Sequence, residues 1–240
     1  YLNDFSLIGT TDVEYNGKPS DVKISEEETN YLLKISNDHF KHQLTVDDIK
    51  WSFSGVRPLC DDESNNPAAI TRDYTLALDD SQPAPLLSIF GGKITTYRKL
   101  AEAALKRLLP YHSNMNAPWT RYTALPGGDF PQGIKQFHTE LQKRYPWINK
   151  ETLQRYCDAY GTRCELFLEG IKSINDMGEH FGHGLYAVEV DYLLKEEWVK
   201  NTEDLLWRRS KLGLFINTEG IEKLKHYINE NLHQKINKAS

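Results

Sequence analysis

Cysteine is scarce: the chain holds three, Cys60, Cys157 and Cys164, with no CxxC pair among them. So sparse and odd a set suits a reducing compartment better than a disulfide framework, which favours the cytosol. No stretch approaches the roughly 18 consecutive apolar residues of a membrane-spanning helix. The first residues, Tyr1-Leu2-Asn3-Asp4-Phe5, lack the basic and apolar regions of a secretory leader. They also lack an initiator Met, so an excised piece of a longer protein is expected. An excess of positive charge is missing too: 29 Lys and Arg against 34 Asp and Glu give a formal net charge of -5. That leaves no bulk cationic field for nucleic acid, which is set aside as a partner. What is present is 240 residues, 39% hydrophobic, with 13 Tyr and 5 Trp. Such a chain can bury one sizeable core or two modest ones.

Residues 5 to 13 read as a buried strand running into a polar turn at Gly9-Thr10-Thr11. Ser25-Glu-Glu-Glu28 is a capping-box pattern, and Tyr31, Leu32, Ile35 and Phe40 form an apolar stripe, so a helix is expected over 26 to 40. Strands are expected at 49 to 56, 70 to 78 and 85 to 90. At Gly91-Gly92 the period changes, and Leu100, Ala104 and Leu108 recur at helical spacing until Pro110. The stretch 111 to 133, rich in Pro, Gly and polar residues, is the best domain boundary. Beyond it the expected elements are helices, at 133 to 144, 150 to 160 with Gly161 as stop, and 163 to 169 with Thr162 and Glu165 as a second capping box. Further helices are expected at 187 to 200, at 203 to 212 after Thr202 as cap, and at 218 to 235. Over 186 to 192 a strand-like alternation competes with the helical pattern. The fold class is α+β: a partial mixed or antiparallel sheet with helices over 1–118, then an all-α domain over 119–240.

The most informative local feature is Phe90-Gly91-Gly92-Lys93-Ile94-Thr95-Thr96. Two glycines between a strand and a helix let backbone N–H groups approach a ligand at the positive end of the helix dipole. Lys93 adds a charge able to stabilise an anionic, reduced cofactor, and Thr95 and Thr96 add hydroxyls. A plain strand-to-helix turn with a solvated lysine is the alternative. Arg57 and Arg72 each lie at or near the end of an apolar strand, where guanidinium groups can converge on a phosphate or carboxylate. They also fit structural ion pairs with Asp61, Asp62 or Asp73. Thr10 and Thr11 at a strand end are weaker candidates, matched by ordinary turn hydrogen bonding. His180 and His183 form an HxxH without a third ligand at a convincing spacing. Trp207-Arg208-Arg209 with Lys211 is a small basic cluster suited to lipid, to a partner, or to helix pairs with Glu203 and Asp204.

Taken together, Ile8-Gly-Thr-Thr-Asp12, Trp51-Ser-Phe-Ser-Gly-Val-Arg-Pro-Leu-Cys-Asp-Asp62, Ile70-Thr-Arg-Asp-Tyr-Thr75 and Phe90-Gly-Gly-Lys-Ile-Thr-Thr-Tyr-Arg-Lys-Leu-Ala-Glu102 resemble the aerobic, FAD-dependent glycerol-3-phosphate dehydrogenases. Leu125-Pro-Gly-Gly128, Tyr160-Gly161, Gly178-Glu179, Phe181-Gly-His183 and Leu206-Trp-Arg-Arg209 are similar to the family's helical C-terminal domain. The resemblance covers essentially the whole chain. It implies oxidation of sn-glycerol 3-phosphate to dihydroxyacetone phosphate, with hydride passing to FAD and electrons to quinone. It also implies a peripheral enzyme on the cytoplasmic face of the inner membrane, often a homodimer.

By the same resemblance Arg57 and Arg72 bind the substrate, Thr10 lines its pocket, and Lys93 lies near the flavin and the reacting carbon. Arg57 and Lys93 thereby count as catalytic, and Gly91, Gly92, Lys93, Ile94 and Thr95 as cofactor-binding; no metal is expected. The chain departs from the complete family pattern in having no GxGxxG, so the half of the FAD site that holds pyrophosphate and adenosine is not in it. The isolated chain is therefore expected to bind FAD weakly or not at all and to be inactive. Two alternatives stand beside this reading: an amine or amino-acid oxidase-like flavoenzyme, and a helical half acting as a protein- or membrane-interaction module.

Overall fold

The computed structural model describes residues 5–57, 74–112 and 114–239. The chain divides into two compact units, Tyr1–Tyr122 and Thr123–Ser240, and the α+β class holds.

In the first unit, helix α1 spans Glu26–His39 and begins as its sequence dictates. Ser25 Oγ accepts the Glu28 amide, and a Glu28 carboxylate oxygen accepts the Ser25 amide, so two otherwise unpaired donors are satisfied reciprocally. Strands β1 (Tyr74–Asp79) and β2 (Leu86–Gly91) form an antiparallel hairpin in the register Tyr74↔Gly91 to Asp79↔Leu86. Helix α2, Tyr97–Leu108, packs on this hairpin after the 3-10 turn Ile94–Thr96. The strands expected at 5 to 13 and 49 to 56 do not form; Phe5 makes a single bridge and the rest is irregular. Leu7 (60% exposed), Val13 and Phe53 stand in solvent, because an apolar run becomes a strand only where a neighbouring strand completes its ladder. Of the strand expected at 70 to 78, the part from Tyr74 onward is observed; the earlier positions, including Arg72, lie outside the described residues.

The second unit holds the core. Helices α3 (Ile134–Arg144), α4 (Lys150–Tyr160), α5 (Glu165–Leu168), α6 (Ala187–Glu196) and α7 (Thr218–Ala239) surround a buried cluster running from Leu141 to Ile228. A short hairpin, β3 (His180–Gly182) with β4 (Leu185–Tyr186), sits between α5 and α6 in sequence. Asn149 caps α4 by accepting the Glu151 amide at 2.7 Å, and Gly161 ends it. Two further expectations are corrected. Thr162 and Glu165 form no capping box: Gly161–Cys164 is a 3-10 turn, and the Thr162 amide bonds the distant Gly127 carbonyl at 3.0 Å. The helix expected at 203 to 212 is a π-helix over Asp204–Arg209, its first amide taken by Asn201 Oδ1 rather than by Thr202. Over 186 to 192 the helical pattern prevails from Ala187.

Candidate functional site

The strand-to-helix corner ends β2 and leads into α2. Gly91 and Gly92 take φ of +70° and +95°, a region open to glycine. A side chain at Gly92 would also press to 3.3 Å from Tyr74 Cβ and 3.6 Å from Leu100 Cδ2, so the backbone there must lie close against β1 and α2. Lys93, Ile94 and Thr95 follow on the surface, Ile94 being 85% exposed. The Lys93 carbonyl accepts both the Thr96 amide and the Thr96 hydroxyl, at 2.9 and 2.8 Å, which holds the turn. No acidic residue occupies the first turn of α2, so its positive dipole end is not offset there. The result is a bare, side-chain-free backbone edge with a cation and an apolar residue beside it. It fits one edge of a planar ring. It offers nothing resembling the glycine-rich cradle for a pyrophosphate.

A second cluster joins residues far apart in sequence. Arg57 Nη1 lies 2.8 Å from both carboxylate oxygens of Asp12, with each side chain 48% exposed. Thr11 donates its hydroxyl to Glu28 at 2.5 Å, and that bond holds the Glu28 carboxyl below its usual range. The Thr10-Thr11-Asp12 segment is thus pinned at Thr11 to the start of α1 and at Asp12 to Arg57, with Thr10 exposed just ahead of them. Asp12 as partner of Arg57 was not foreseen; Asp61, Asp62, Asp73 and Arg72 lie outside the described residues. Tyr74, two positions after Arg72, is paired with Gly91.

The helical unit contains a polar cluster that the sequence did not signal. Arg155 meets Glu189 through two bonds, 2.5 and 2.7 Å, and also donates to the Gly184 carbonyl at 2.9 Å. The Tyr160 hydroxyl donates to the same Glu189 at 2.5 Å. Burial opposes the charge on Arg155, but Glu189 outweighs it and the net shift is upward. Burial, then the Glu189 charge, pushes the Tyr156 and Tyr160 hydroxyls well up. His180 and His183 do not converge: the His180 ring lies against Tyr186, and the His183 ring stacks on Phe215 at 4.3 Å and 7°. Among the described residues no group of three or more His, Cys, Asp and Glu is placed to hold a metal.

The His183 stack gives a pH prediction. Burial, with Arg155 as a second cause, lowers its pKa below the ordinary 6.5. A folded-state pKa lower than the unfolded one means that the unfolded chain binds more protons between the two values. The contribution is therefore fully present above pH ~6.5 and is lost as pH falls toward the lowered pKa. An NMR titration of the His183 ring is expected to give a midpoint below that of the unfolded chain; a midpoint at or above it would refute the argument.

With this geometry in view, residues 118–236 match the family described as the C-terminal domain of alpha-glycerophosphate oxidase. The glycerol-3-phosphate dehydrogenase of Pseudomonas aeruginosa is 54% identical over 230 residues, covering 95% of this chain and 45% of that protein. The aerobic glycerol-3-phosphate dehydrogenase of Escherichia coli (strain K12) is 48% identical over 241 residues, 100% of this chain and 48% of that protein. The D-erythritol 1-phosphate dehydrogenase of Brucella abortus is 43% identical over 212 residues, 88% of this chain and 42% of that protein. The chain belongs to the glycerol-3-phosphate oxidase and dehydrogenase family. It spans about half the length of the curated relatives it matches.

Proposed function

We propose that this chain supplies the substrate-facing side of an FAD-dependent glycerol-3-phosphate dehydrogenase, with residues 1–118 as part of the oxidoreductase domain and 119–240 as a helical C-terminal domain. The observation that carries this reading is the similarity to dehydrogenases of that name along the entire chain, 48% identity over 100% of it in one case. When bound, FAD supplies the two-electron acceptor for oxidation of sn-glycerol 3-phosphate to dihydroxyacetone phosphate. Gly91 and Gly92 would hold the flavin edge, where their backbone is bare and exposed. Ile94 and Thr95 would cover it, and Lys93 would place its charge beside the ring and the reacting carbon. Arg57 and Arg72 would bind the substrate's phosphate or hydroxyls, Arg57 from a position already fixed by Asp12. Thr10, exposed beside the pinned Thr11, would line the pocket. Quinone takes the electrons in this reading, at the cytoplasmic face of the inner membrane, where the enzyme is peripheral and dimeric. Among the described residues no helix is long and apolar enough to cross a membrane.

A second reading concerns the substrate alone. The relative that acts on D-erythritol 1-phosphate is 43% identical, so a four-carbon polyol phosphate fits the same arginine logic. One experiment addresses both. The chain, and the longer protein carrying it, are purified with added FAD and assayed for flavin absorbance and for dye reduction by glycerol 3-phosphate and erythritol 1-phosphate. The longer protein is expected to retain flavin and prefer glycerol 3-phosphate, and the chain alone to do neither. Flavin retention and dye reduction by the chain alone would overturn its predicted inactivity; a longer protein inert toward both polyol phosphates would overturn the function.

A further inference from the structure

Arg57 uses its donors unequally. Nη1 lies 2.8 Å from both oxygens of Asp12, so a single nitrogen serves the carboxylate, and among the described residues Nε and Nη2 meet no hydrogen-bonding partner. Those two nitrogens form the side-on fork of the guanidinium, two parallel N–H groups spaced to meet two oxygens of a phosphate. Asp12 is anchored in turn. The preceding Thr11 donates its hydroxyl to one Glu28 oxygen at 2.5 Å, and the other Glu28 oxygen accepts the Ser25 amide at 2.9 Å at the start of α1. A relay of side chains therefore runs from a helix end through Thr11 and Asp12 to Arg57. As a stabilising contact the Asp12–Arg57 pair does little, since each side chain is 48% exposed and water screens the attraction. What it fixes is the direction of a long side chain that otherwise samples many rotamers.

We propose that Asp12 is a positioning residue for phosphate capture: it holds the Nε–Nη2 fork of Arg57 open to the substrate's phosphate, and Glu28 holds Asp12 in place through Thr11. This rests on the reading of Arg57 as a substrate ligand and adds to it the groups that aim the guanidinium. Two effects of removing the Asp12 charge oppose each other. A lost negative charge beside Arg57 draws a phosphate in more tightly, whereas a lost anchor leaves the fork to wander. Half-exposure of the pair screens the first effect, so the second decides the sign. D12N isolates it: the side chain keeps its size, but its amide gives up the charge-assisted grip of a carboxylate on Nη1.

The test uses the longer protein carrying this chain, with FAD bound, assayed by dye reduction over a range of glycerol 3-phosphate concentrations. D12N is expected to raise KM about tenfold, less than the roughly hundredfold cost of an ångström's misplacement of a reacting group. Its kcat should fall far less, because binding shared by ground and transition states is read in KM. Its melting temperature should stay near that of the wild type, as expected for an exposed pair. T11V should raise KM in the same direction by a smaller factor. T11V/D12N should rise no higher than D12N, because Thr11 acts only through Asp12. An active wild type whose D12N variant keeps or lowers its KM overturns the proposal alone, and so do T11V and D12N effects that multiply independently. A wild type inert toward glycerol 3-phosphate overturns the dehydrogenase reading and this proposal with it. If D12N fails to fold, T11V, which leaves both charges in place, decides by the same KM.

Discussion

A G161A variant is expected to lose ~3 to 5 kcal/mol of the stability of the helical unit, read as a collapse of the urea midpoint. Two independent costs add. Gly161 has φ +56° and ψ -137°, a conformation that side-chain-bearing residues avoid. A Cβ there would also lie 1.9 Å from the Gly127 carbonyl oxygen and 2.8 Å from its carbon. Neither atom can swing aside as a long side chain would, because both belong to backbone. The contact is reciprocal: a Cβ on Gly127, at φ +86°, would meet the Tyr160 carbonyl oxygen at 2.5 Å. Relief means pushing the Leu125–Gly128 turn away and losing the Thr162 amide bond to Gly127. G170A separates the two costs, since Gly170 has φ +77° but a Cβ added to it would meet nothing within 4 Å. That variant is expected to lose about 1 kcal/mol, the conformational cost alone. Equal midpoints for the two variants would show that the Gly127–Gly161 approach contributes nothing.

This pair of glycines also marks how far the sequence could be read. Gly161 as the stop of α4 is local information, visible from the end of an apolar stripe, and so is the Ser25 to Glu28 capping box. The Gly91-Gly92 corner is legible for the same reason: strand periodicity gives way to helical periodicity across it. What failed depended on partners elsewhere in the chain. The runs at 5 to 13 and 49 to 56 have the composition of strands, but composition cannot supply the neighbour that makes a ladder. Thr162 looked like a helix cap because nothing nearby showed that its amide goes to Gly127. The π-helix at Asp204–Arg209 brings Trp207 over Gly213, where a Cβ would come within 2.5 Å of the indole, a fit invisible before the fold is known. In the candidate site, the glycines, Lys93 and Arg57 carried recognisable chemistry, yet the Asp12 partner of Arg57, 45 positions away, did not.

Glu189 is the residue of greatest effect that no local pattern announced, since its partners Arg155 and Tyr160 lie 34 and 29 positions away. Its side chain is fully buried, and Arg155 is 20% exposed beside it. In an E189A variant the guanidinium would keep only the Gly184 carbonyl among these contacts, and the Tyr160 hydroxyl would lose its acceptor. An uncompensated buried charge of this kind costs roughly 3 to 5 kcal/mol, a large share of the ~5 to 15 kcal/mol that holds a typical domain together. The ion pair itself adds much less than that, because bringing both charges out of water offsets most of their attraction. Removing both charges should therefore recover stability: R155M/E189L is expected to be more stable than E189A by at least about 2 kcal/mol, although it carries one more substitution. Urea unfolding of the wild-type chain, E189A and R155M/E189L measures this, and a double variant no better than E189A would mean that shape, not charge, dominates the cluster. Hydrogen exchange locates the loss. Arg155 on α4 and Glu189 on α6 are tied together through the turn at Gly184, so amides of the β3–β4 hairpin should lose protection in E189A before those of α7.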